Sequence, residues 1–336
     1  MLPFRPLPLL GNAHVQTILG NLFTGVARSE RVQRSVIQLP DGDRIMLHET
    51  PPAGARATAP VAILVHGLGG SHRSGYMARM TNRLSALGWR IFRMDLRGAG
   101  AGIRLARRFY NAACSEDVRA VVEHLASAFP QARLAVLGFS LGGNIVLKFA
   151  GESAGRAHPS LSAVATIAPP IDLVRCSGLL ARYPVYDAFY VRHLTSQVSQ
   201  HQRYFPDVPR VAFPRRMNLT QFDDLYTAPR WGYAGALDYY RRASALPWIS
   251  AIGVPTFILT ARDDPFVAVE PFETLQAPAV EVHITARGGH LGFLGHDGIG
   301  GIRWAEAQVV NWLTRRISPL GSPESRSLRV EERLKN

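Results

Sequence analysis

Short, uninterrupted runs of apolar residues recur along this sequence, and segments with helical periodicity separate most of them. A continuous apolar run is typical of a β-strand that is buried on both faces. Alternating strands and helices predict a parallel sheet, because a parallel strand pair needs a crossover connection. We therefore predict an α/β fold, with a mostly parallel sheet and helices on both faces. The predicted strands are 61–67, 90–96, 133–139, 161–169, 256–261 and 280–285.

Helical segments fill most of the gaps, and a hairpin precedes the first buried run. The predicted helices lie at 76–87, from Ser115 onward, at 141–150 and at 302–316. Glu116 and Asp117 favour the start at Ser115, because carboxylates stabilise the positive end of a helix dipole. Residues 36–49 contain two short strand patterns around the turn at 40–43, which predicts a β-hairpin.

The alternation stops between residues 171 and 250. This segment contains helical pieces such as 234–246 but no buried strand, and about 80 residues are too many for an unstructured loop. We therefore predict a single α/β domain over 1–336, with an inserted helical cap at 171–250. The polar, aperiodic residues 318–336 are expected to form a disordered tail.

Composition narrows the function classes. The chain is 47% hydrophobic and 19% charged, which indicates a folded globular protein. It has only two cysteines, so we expect no disulfide framework and a cytoplasmic location. No cysteine and histidine cluster has the spacing of a zinc site, so no metal is expected.

The net charge of +13 comes mostly from scattered arginines. A basic surface attracts nucleic acids, anionic membranes or acidic ligands. No basic segment is interleaved with aromatic residues, so we expect no nucleic-acid partner, whereas peripheral contact with a membrane stays open. Prolines interrupt the apolar N-terminus, and no apolar segment approaches the ~20 residues of a membrane span. Neither a signal peptide nor a transmembrane helix is expected.

The most informative motif is Gly138-Phe139-Ser140-Leu141-Gly142, which lies between a predicted buried strand and a helix. In that context a G-x-S-x-G sequence favours a nucleophilic serine over a glycine-rich corner with an incidental hydroxyl. The glycines are expected because a Cβ atom at either position would collide with a neighbouring strand or helix. The following helix would direct its positive end at the reacting carbonyl group.

A serine hydroxyl is a weak nucleophile unless a base removes its proton. Of the 11 histidines, His290 is the best candidate, because it follows the last predicted strand and two glycines. His283 lies within that strand and is expected to pack in the core, and His296 is a weaker rival.

The histidine in turn needs a carboxylate that fixes its tautomer and stabilises its charge. The loop after the strand 256–261 offers two neighbours, Asp263 and Asp264. Asp264 is preferred because it directly precedes a proline, and Asp263 is expected to stabilise the turn through its own backbone. We interpret Asp223 and Asp224, in the insertion, as structural.

An acyl-transfer enzyme also needs hydrogen-bond donors for the developing oxyanion. The loop 66–71, His-Gly-Leu-Gly-Gly-Ser, directly follows the first buried strand, and the backbone N–H groups of Leu68 and Leu141 are the expected donors. His66 is expected to brace this loop, and the turn that begins at Asp95 to shape the pocket floor. The loop lacks the third glycine of a dinucleotide-binding motif, and the chain contains no phosphate-binding G-x-x-x-x-G-K-[ST] motif.

Seven blocks of this sequence resemble the α/β-hydrolases, and in particular the AB-hydrolase-4 group. That group includes bacterial hydrolases, animal abhydrolase-domain 1, 2 and 3 lipid hydrolases, and yeast medium-chain ethyl-ester synthase/esterases. The resemblance implies a serine hydrolase for medium-chain or lipid-like carboxylic esters, with Ser140, Asp264 and His290 as its triad and no cofactor. Ala99 departs from the pattern, since many relatives carry cysteine there. The blocks are 11–18, 66–71, 97–100, 138–144, 222–229, 263–266 and 288–293.

Two other functions fit the same residues. An acyltransferase would use the same triad with an alcohol as the acceptor, and a non-catalytic binding protein would retain the fold alone. The oligomeric state is not predicted. Aromatic residues of the insertion are compatible with a lipid-like substrate but equally with a small core of their own: Phe189, Tyr190, Tyr204, Phe205, Phe213 and Trp231.

Overall fold

A single eight-stranded sheet forms the centre of the molecule. The computed structural model describes residues 2–22, 32–52, 54 and 56–317, so the tail predicted at 318–336 lies outside the described residues. Each of the six predicted buried strands is present. The strands are β1 (Gln33–Gln38), β2 (Arg44–Thr50), β3 (Val61–Val65), β4 (Arg90–Asp95), β5 (Leu134–Phe139), β6 (Leu161–Ile167), β7 (Thr256–Ala261) and β8 (Val280–Thr285).

The strand order across the sheet is β1-β2-β4-β3-β5-β6-β7-β8. The predicted hairpin is confirmed, because β1 pairs antiparallel with β2, and β2 pairs antiparallel with β4. All other neighbours pair in parallel, which confirms the predicted mostly parallel sheet. The carboxyl ends of the parallel strands therefore share one edge, where ligand sites of such sheets form.

Helices cover both faces of the sheet, as predicted. They are α1 (Ala13–Leu22), α2 (Gly75–Ala86), α3 (Ser115–Ala128), α4 (Leu141–Glu152), α5 (Leu173–Leu180), α6 (Pro184–His201), α7 (Leu219–Phe222), α8 (Ala228–Trp231), α9 (Ala236–Ala243), α10 (Glu270–Glu273) and α11 (Trp304–Ile317). Short 3₁₀ turns occupy Gly100–Gly102 and Leu246–Ala251, and a π-helical turn at Asp223–Thr227 joins α7 to α8. No helix in the described residues has the length and hydropathy that a membrane span requires.

Two apolar layers account for the uninterrupted runs of the strands. Successive side chains of a strand point to opposite faces. Ile63 accordingly packs in one layer with Ile145 of α4, and Leu64 packs in the other with Met80 of α2 and Leu313 of α11. All five residues of β3 are buried.

The edge strand β8 corrects one prediction. His283, which the sequence placed in the core, is half-buried and packs against the ring of Trp304 at 5.8 Å between ring centroids. The apolar pattern of β8 did not reveal that only one neighbouring strand covers it.

The segment between β6 and β7 contains α5 to α9 and no strand. We call residues 171–250 the helical insertion. Part of it packs on itself, since the ring of Phe213 lies 5.5 Å from that of Phe222 and 5.9 Å from that of Tyr226. The same apolar layer that contains Ile63 and Ile145 also includes Phe222, Tyr226, Tyr239 and Tyr240.

Candidate active site

Ser140 occupies the abrupt corner between β5 and α4. Its backbone angles are φ 49° and ψ −122°, a strained conformation for a residue with a side chain. The predicted reason for the flanking glycines is confirmed. A Cβ atom at Gly138 would lie 2.5 Å from the carbonyl oxygen of Gly142, and one at Gly142 would lie 2.4 Å from that of His66.

Three loops at the carboxyl edge of the sheet bring Ser140, His290 and Asp264 together. The Ser140 hydroxyl lies 2.8 Å from Nε2 of His290, and His290 Nδ1 lies 2.8 Å from Oδ2 of Asp264. The carboxylate accepts a hydrogen bond from Nδ1–H, so the unprotonated Nε2 presents its lone pair to the hydroxyl. His290 is 4% and Asp264 7% exposed, so water competes little with these bonds. His296, the rival base, is exposed on the surface.

The two neighbouring aspartates hold different parts of this arrangement. Asp264 Oδ1 accepts hydrogen bonds from the backbone N–H groups of Phe266 at 2.8 Å and Val267 at 3.1 Å, which fixes the carboxylate plane. Asp263 Oδ1 accepts one from Gly289 N–H at 2.9 Å, and burial raises the pKa of Asp263. Asp263 therefore braces the loop that carries His290, a link that the turn interpretation missed.

Helix α1 supports the same loop from the far N-terminus. The hydroxyl of Thr17 accepts a hydrogen bond from His290 N–H at 2.9 Å. The amide of Gln16 bonds to both backbone groups of Leu294, at 2.6 Å through Oε1 and at 3.2 Å through Nε2. The block 11–18 had signalled this segment in the sequence, but without a role.

The loop after β3 passes directly beside the serine. A Cβ atom at Gly67 would lie 3.1 Å from Cβ of Ser140. The expectation that His66 braces the loop is confirmed, because its Nδ1–H donates to Gly67 O at 2.8 Å and its Nε2 accepts from Leu96 N–H at 3.2 Å.

Most N–H groups of this loop are already bonded. Gly67 N–H donates to the Tyr76 hydroxyl at 2.9 Å, and Gly69 N–H donates to the Tyr110 hydroxyl at 2.6 Å. Gly70 N–H returns to Gly67 O at 3.0 Å. Between them, the N–H of Leu68 has no acceptor in the part of the chain that the structure describes.

A cavity of about 110 Å³ opens above Ser140 and His290, between the sheet edge and the helical insertion. Leu68 and Leu141 border it, and its lining includes no lysine or arginine among the described residues. Most of its walls are apolar, including Leu173, Leu180, Tyr190, Leu194, Phe222 and Phe266.

Only one of the six aromatic residues singled out in the insertion, Tyr190, lines this cavity. Phe189 is 64% exposed, and Phe205 packs against the ring of His201 at 4.8 Å. Trp231 donates from Nε1 to Phe109 O at 3.0 Å. Of these residues, Phe205 and Phe213 fit the alternative of a small core within the insertion.

Asn144, in the first turns of α4, anchors the insertion to the site. It is fully buried, and its Nδ2 donates to Ala112 O at 3.1 Å and to Ala243 O at 2.9 Å. Its Oδ1 accepts from Ala245 N–H at 2.9 Å. One side chain thus fixes the loop before α3 and the end of α9 against the nucleophile helix.

A second cluster lies elsewhere in the fold and corrects the expectation for Asp95. Its carboxylate accepts hydrogen bonds from His48 at 2.9 Å and His72 at 2.8 Å, and these bonds hold its pKa well below its usual range although burial opposes them. Residues 95–100 do not appear in the lining of the cavity above Ser140.

Of the described residues, these three are the group whose donor atoms could hold a metal ion. The backbone N–H groups of His72 and Ala101 also donate to the carboxylate, at 2.7 Å and 2.9 Å. Both oxygens of Asp95 already accept hydrogen bonds from N–H donors. The cluster is therefore explained as a buried structural contact that connects β2, β4 and the loop after β3.

The sequence and the fold of this chain are both similar to those of known proteins. The sequence pattern of the alpha/beta hydrolase fold matches residues 60–297. The chain is 31% identical to YheT of Escherichia coli (strain K12), provisionally named an esterase, over 93% of each chain. It is also 31% identical to phospholipase ABHD3 of Mus musculus, over 71% of this chain and 59% of that protein. The solved esterase Pf2001 of Pyrococcus furiosus superposes with a TM-score of 0.57 over 88% of this chain and 96% of that chain, at 16% identity, which indicates a shared fold alone.

Proposed function

The chain belongs to the α/β-hydrolase family, and on that premise we propose that it is a carboxylic ester hydrolase with Ser140, His290 and Asp264 as its catalytic triad. The observation that carries the proposal is the unbroken chain of two 2.8 Å hydrogen bonds from Asp264 through His290 to Ser140. Each bond has the geometry that its role requires.

In the proposed reaction, Nε2 of His290 takes the hydroxyl proton while Oγ of Ser140 attacks the ester carbonyl carbon. Asp264 stabilises the imidazolium that forms. The tetrahedral intermediate collapses, His290 returns the proton to the leaving alkoxide, and the alcohol departs. Water then attacks the acyl-enzyme with His290 as the base, which releases the acid and restores Ser140.

The carbonyl oxygen becomes negatively charged during both attacks. The uncommitted N–H of Leu68 supports its role as one oxyanion donor, since its neighbours are bonded elsewhere. Leu141 is the first residue of α4, where N–H groups have no acceptor within the helix. We assign these two N–H groups to the oxyanion hole.

The mostly apolar cavity supports an acyl chain of medium length or a lipid-like ester as the substrate. The expected profile against p-nitrophenyl esters from acetate to palmitate is a maximum in kcat/KM above acetate, because each buried methylene contributes about 0.8 kcal/mol of binding. A flat profile would contradict this substrate class.

The nucleophile is tested by Ser140→Ala, with Ser162→Ala as a matched control. Ser162 lies on β6, and its hydroxyl bonds only to the neighbouring Ser160 O among the described residues. We expect Ser140→Ala to lower kcat by at least ~10⁴-fold and to abolish labelling by a fluorophosphonate probe. The control is expected to retain both. Equal labelling of Ser140→Ala and the parent would refute the proposed nucleophile.

A further inference from the structure

The cavity above Ser140 contains a polar side chain with an unused donor. Asn111 lines this cavity and is 3% exposed. Its Oδ1 accepts a hydrogen bond from Ala113 N–H at 2.6 Å, which orients the amide. Its Nδ2 is buried and has no hydrogen-bond partner among the residues that the structure describes. Because a buried donor without an acceptor is destabilising, Nδ2 is a position at which a bound molecule would supply the missing acceptor.

An acceptor lies in the same cavity wall. Asp223, in the π-helical turn, lines the cavity and is 6% exposed. Its Oδ2 accepts from the Tyr240 hydroxyl at 2.7 Å, and Thr227 also donates to the carboxylate. A carboxylate has about four acceptor positions, so two stay available. π-Helical turns are frequent at functional sites because they displace side chains from the regular helix surface.

Helix α9 contacts the chain at both of these groups. Ala112 N–H, next to Asn111, donates to the Tyr239 hydroxyl at 2.9 Å. The ring of Tyr239 lies 5.3 Å from that of Tyr240, which holds Asp223. The pKa of Tyr239 is raised by burial and by the charge of Asp223, as expected for groups close together.

The subsite also lies within reach of the reacting serine. Ser140, Asn111 and Asp223 all line the same cavity. Asn144 of α4 donates to Ala112 O at 3.1 Å, which ties the segment that carries Asn111 to the helix that follows Ser140. A substrate bound at Ser140 would therefore share this cavity with the two polar groups.

We propose that Asn111 and Asp223 form a polar subsite that selects esters carrying an uncharged hydroxyl group on the part of the substrate that enters the cavity. This inference rests on the proposed function. A hydroxyl accepts one hydrogen bond and donates another, which matches the Asn111 donor and the Asp223 acceptor. An anionic group would meet Asp223, and no lysine or arginine lines the described cavity to balance it. The hydroxyl could belong to the acyl chain or to the alcohol.

Matched esters test the selection and separate the two sources. One arm compares ethyl octanoate with ethyl octanoates hydroxylated at successive carbons, and the other compares propyl octanoate with glyceryl monooctanoate. We expect kcat/KM to be about tenfold higher for the best hydroxylated ester in one arm, as two additional hydrogen bonds would give. Monoethyl suberate, with a terminal carboxylate, is expected to be hydrolysed more slowly than ethyl octanoate.

Two variants locate the effect. Asn111→Asp keeps the acceptor for Ala113 N–H but removes the donor, and we expect the hydroxyl preference to fall about tenfold. Asn218→Asp, the same exchange at the exposed N-cap of α7, is the control and should preserve the preference. Asp223→Asn keeps an acceptor for Tyr240, and we expect it to relieve the discrimination against monoethyl suberate.

The outcomes separate this inference from the proposed function. Hydrolysis of plain esters and fluorophosphonate labelling of Ser140, without any hydroxyl preference in the unsubstituted protein, would overturn the subsite alone. A preference that survives both Asn111→Asp and Asp223→Asn would overturn it as well. Absence of both labelling and ester hydrolysis would instead overturn the triad.

Discussion

At the residue scale, Asp263 and Asp264 differ in the group to which one oxygen of each carboxylate is hydrogen-bonded. Asp264 directs Oδ2 at His290, whereas Asp263 directs Oδ1 at the backbone N–H of Gly289. The first contact determines which imidazole nitrogen carries the proton, and the second only holds a loop in place. We therefore expect the two adjacent carboxylates to have separable effects on the reaction.

Asp264→Asn should lower kcat by about 10⁴-fold, because an amide can donate to Nδ1 and thereby stabilise the wrong tautomer. Asp263→Asn should lower kcat by less than ~10-fold, because its side-chain oxygen can still accept from Gly289 N–H. Initial rates with one p-nitrophenyl ester compare the two variants directly. Similar losses in both would contradict the assignment of Asp264.

The protonation of Asp223 is expected to make the stability of the fold depend on pH. Burial raises its pKa from 3.8 to about 6. The folded state therefore holds this proton at pH values where the unfolded chain has released it. The contribution of Asp223 to stability is accordingly greatest below pH 4 and is lost as the pH rises through 6. Asp224 adds to the shift, whereas Thr227 and Tyr240 oppose it through hydrogen bonds.

We expect Asp223→Asn to gain ~3 kcal/mol of unfolding free energy relative to the parent between pH 4 and pH 8. Urea unfolding of both proteins at the two pH values measures the difference. Asp224→Asn serves as the control, with a smaller change. A constant difference between parent and Asp223→Asn at both pH values would disprove this linkage.

At the element scale, the insertion is positioned by α4 rather than by its own contacts alone. Asn144→Leu would leave three buried backbone groups, on Ala112, Ala243 and Ala245, without their partner. We expect a loss of ~3–9 kcal/mol in unfolding free energy, since each such group costs about 1–3 kcal/mol. Asn218→Ala, which removes an exposed helix cap, should lose only ~1 kcal/mol. Equal losses in urea titrations would show that Asn144 is not the anchor.

The strands and the hairpin were predictable from the sequence, whereas the orientation of the helices in the insertion was not. Buried strands were found because each is a continuous apolar run, and the hairpin because its turn residues are distinctive. The side of α6 that meets the cavity was not predictable, because the apolar residues of this helix are spread around its axis. The π-helical turn that places Asp223 in the wall has no sequence signature, so this residue was interpreted only as structural. The role of Asp95 was also missed. Its partners His48 and His72 lie in distant segments of the sequence, and the spacing of these residues along the chain does not indicate that they meet.

At the scale of the whole molecule, the candidate site is assembled from distant segments. Parallel strands that end at one edge bring the loops of Ser140, Asp264 and His290 together, and α1 supports the last of these from the other end of the sequence. The motif around Ser140 and the loop positions of Asp264 and His290 were sufficient to predict that these three side chains meet. The contribution of Thr17 needed the three-dimensional structure, because nothing in the local pattern links residues so far apart.

A buried ionic network connects the hairpin to the rest of this assembly. Arg97, 4% exposed, donates to Asp117 of α3 at 2.6 and 2.7 Å and to Asp43 of the hairpin turn at 3.0 Å. Arg97 also donates to Asp41 at 2.5 Å. Burial opposes the charged form, but the bonds to Asp117 and Asp41 raise the pKa of Arg97. The guanidinium group therefore stays charged over the whole range in which the protein is folded, and its partners depend on it for charge compensation.

Removal of one member of a buried ionic network leaves the others charged and unpaired, so Arg97→Met should lower the unfolding free energy by about 3–5 kcal/mol. Arg107→Met is the matched control. Its pair with Asp207 is exposed to solvent, and we expect no measurable loss of stability.

The loss of stability in Arg97→Lys should be intermediate, because an ammonium group cannot form the paired bonds to Asp117. Urea unfolding at low and high salt distinguishes these cases, since screening weakens exposed pairs far more than buried ones. Equal stability of the Arg97 and Arg107 variants would mean that the hairpin is held by its apolar contacts alone.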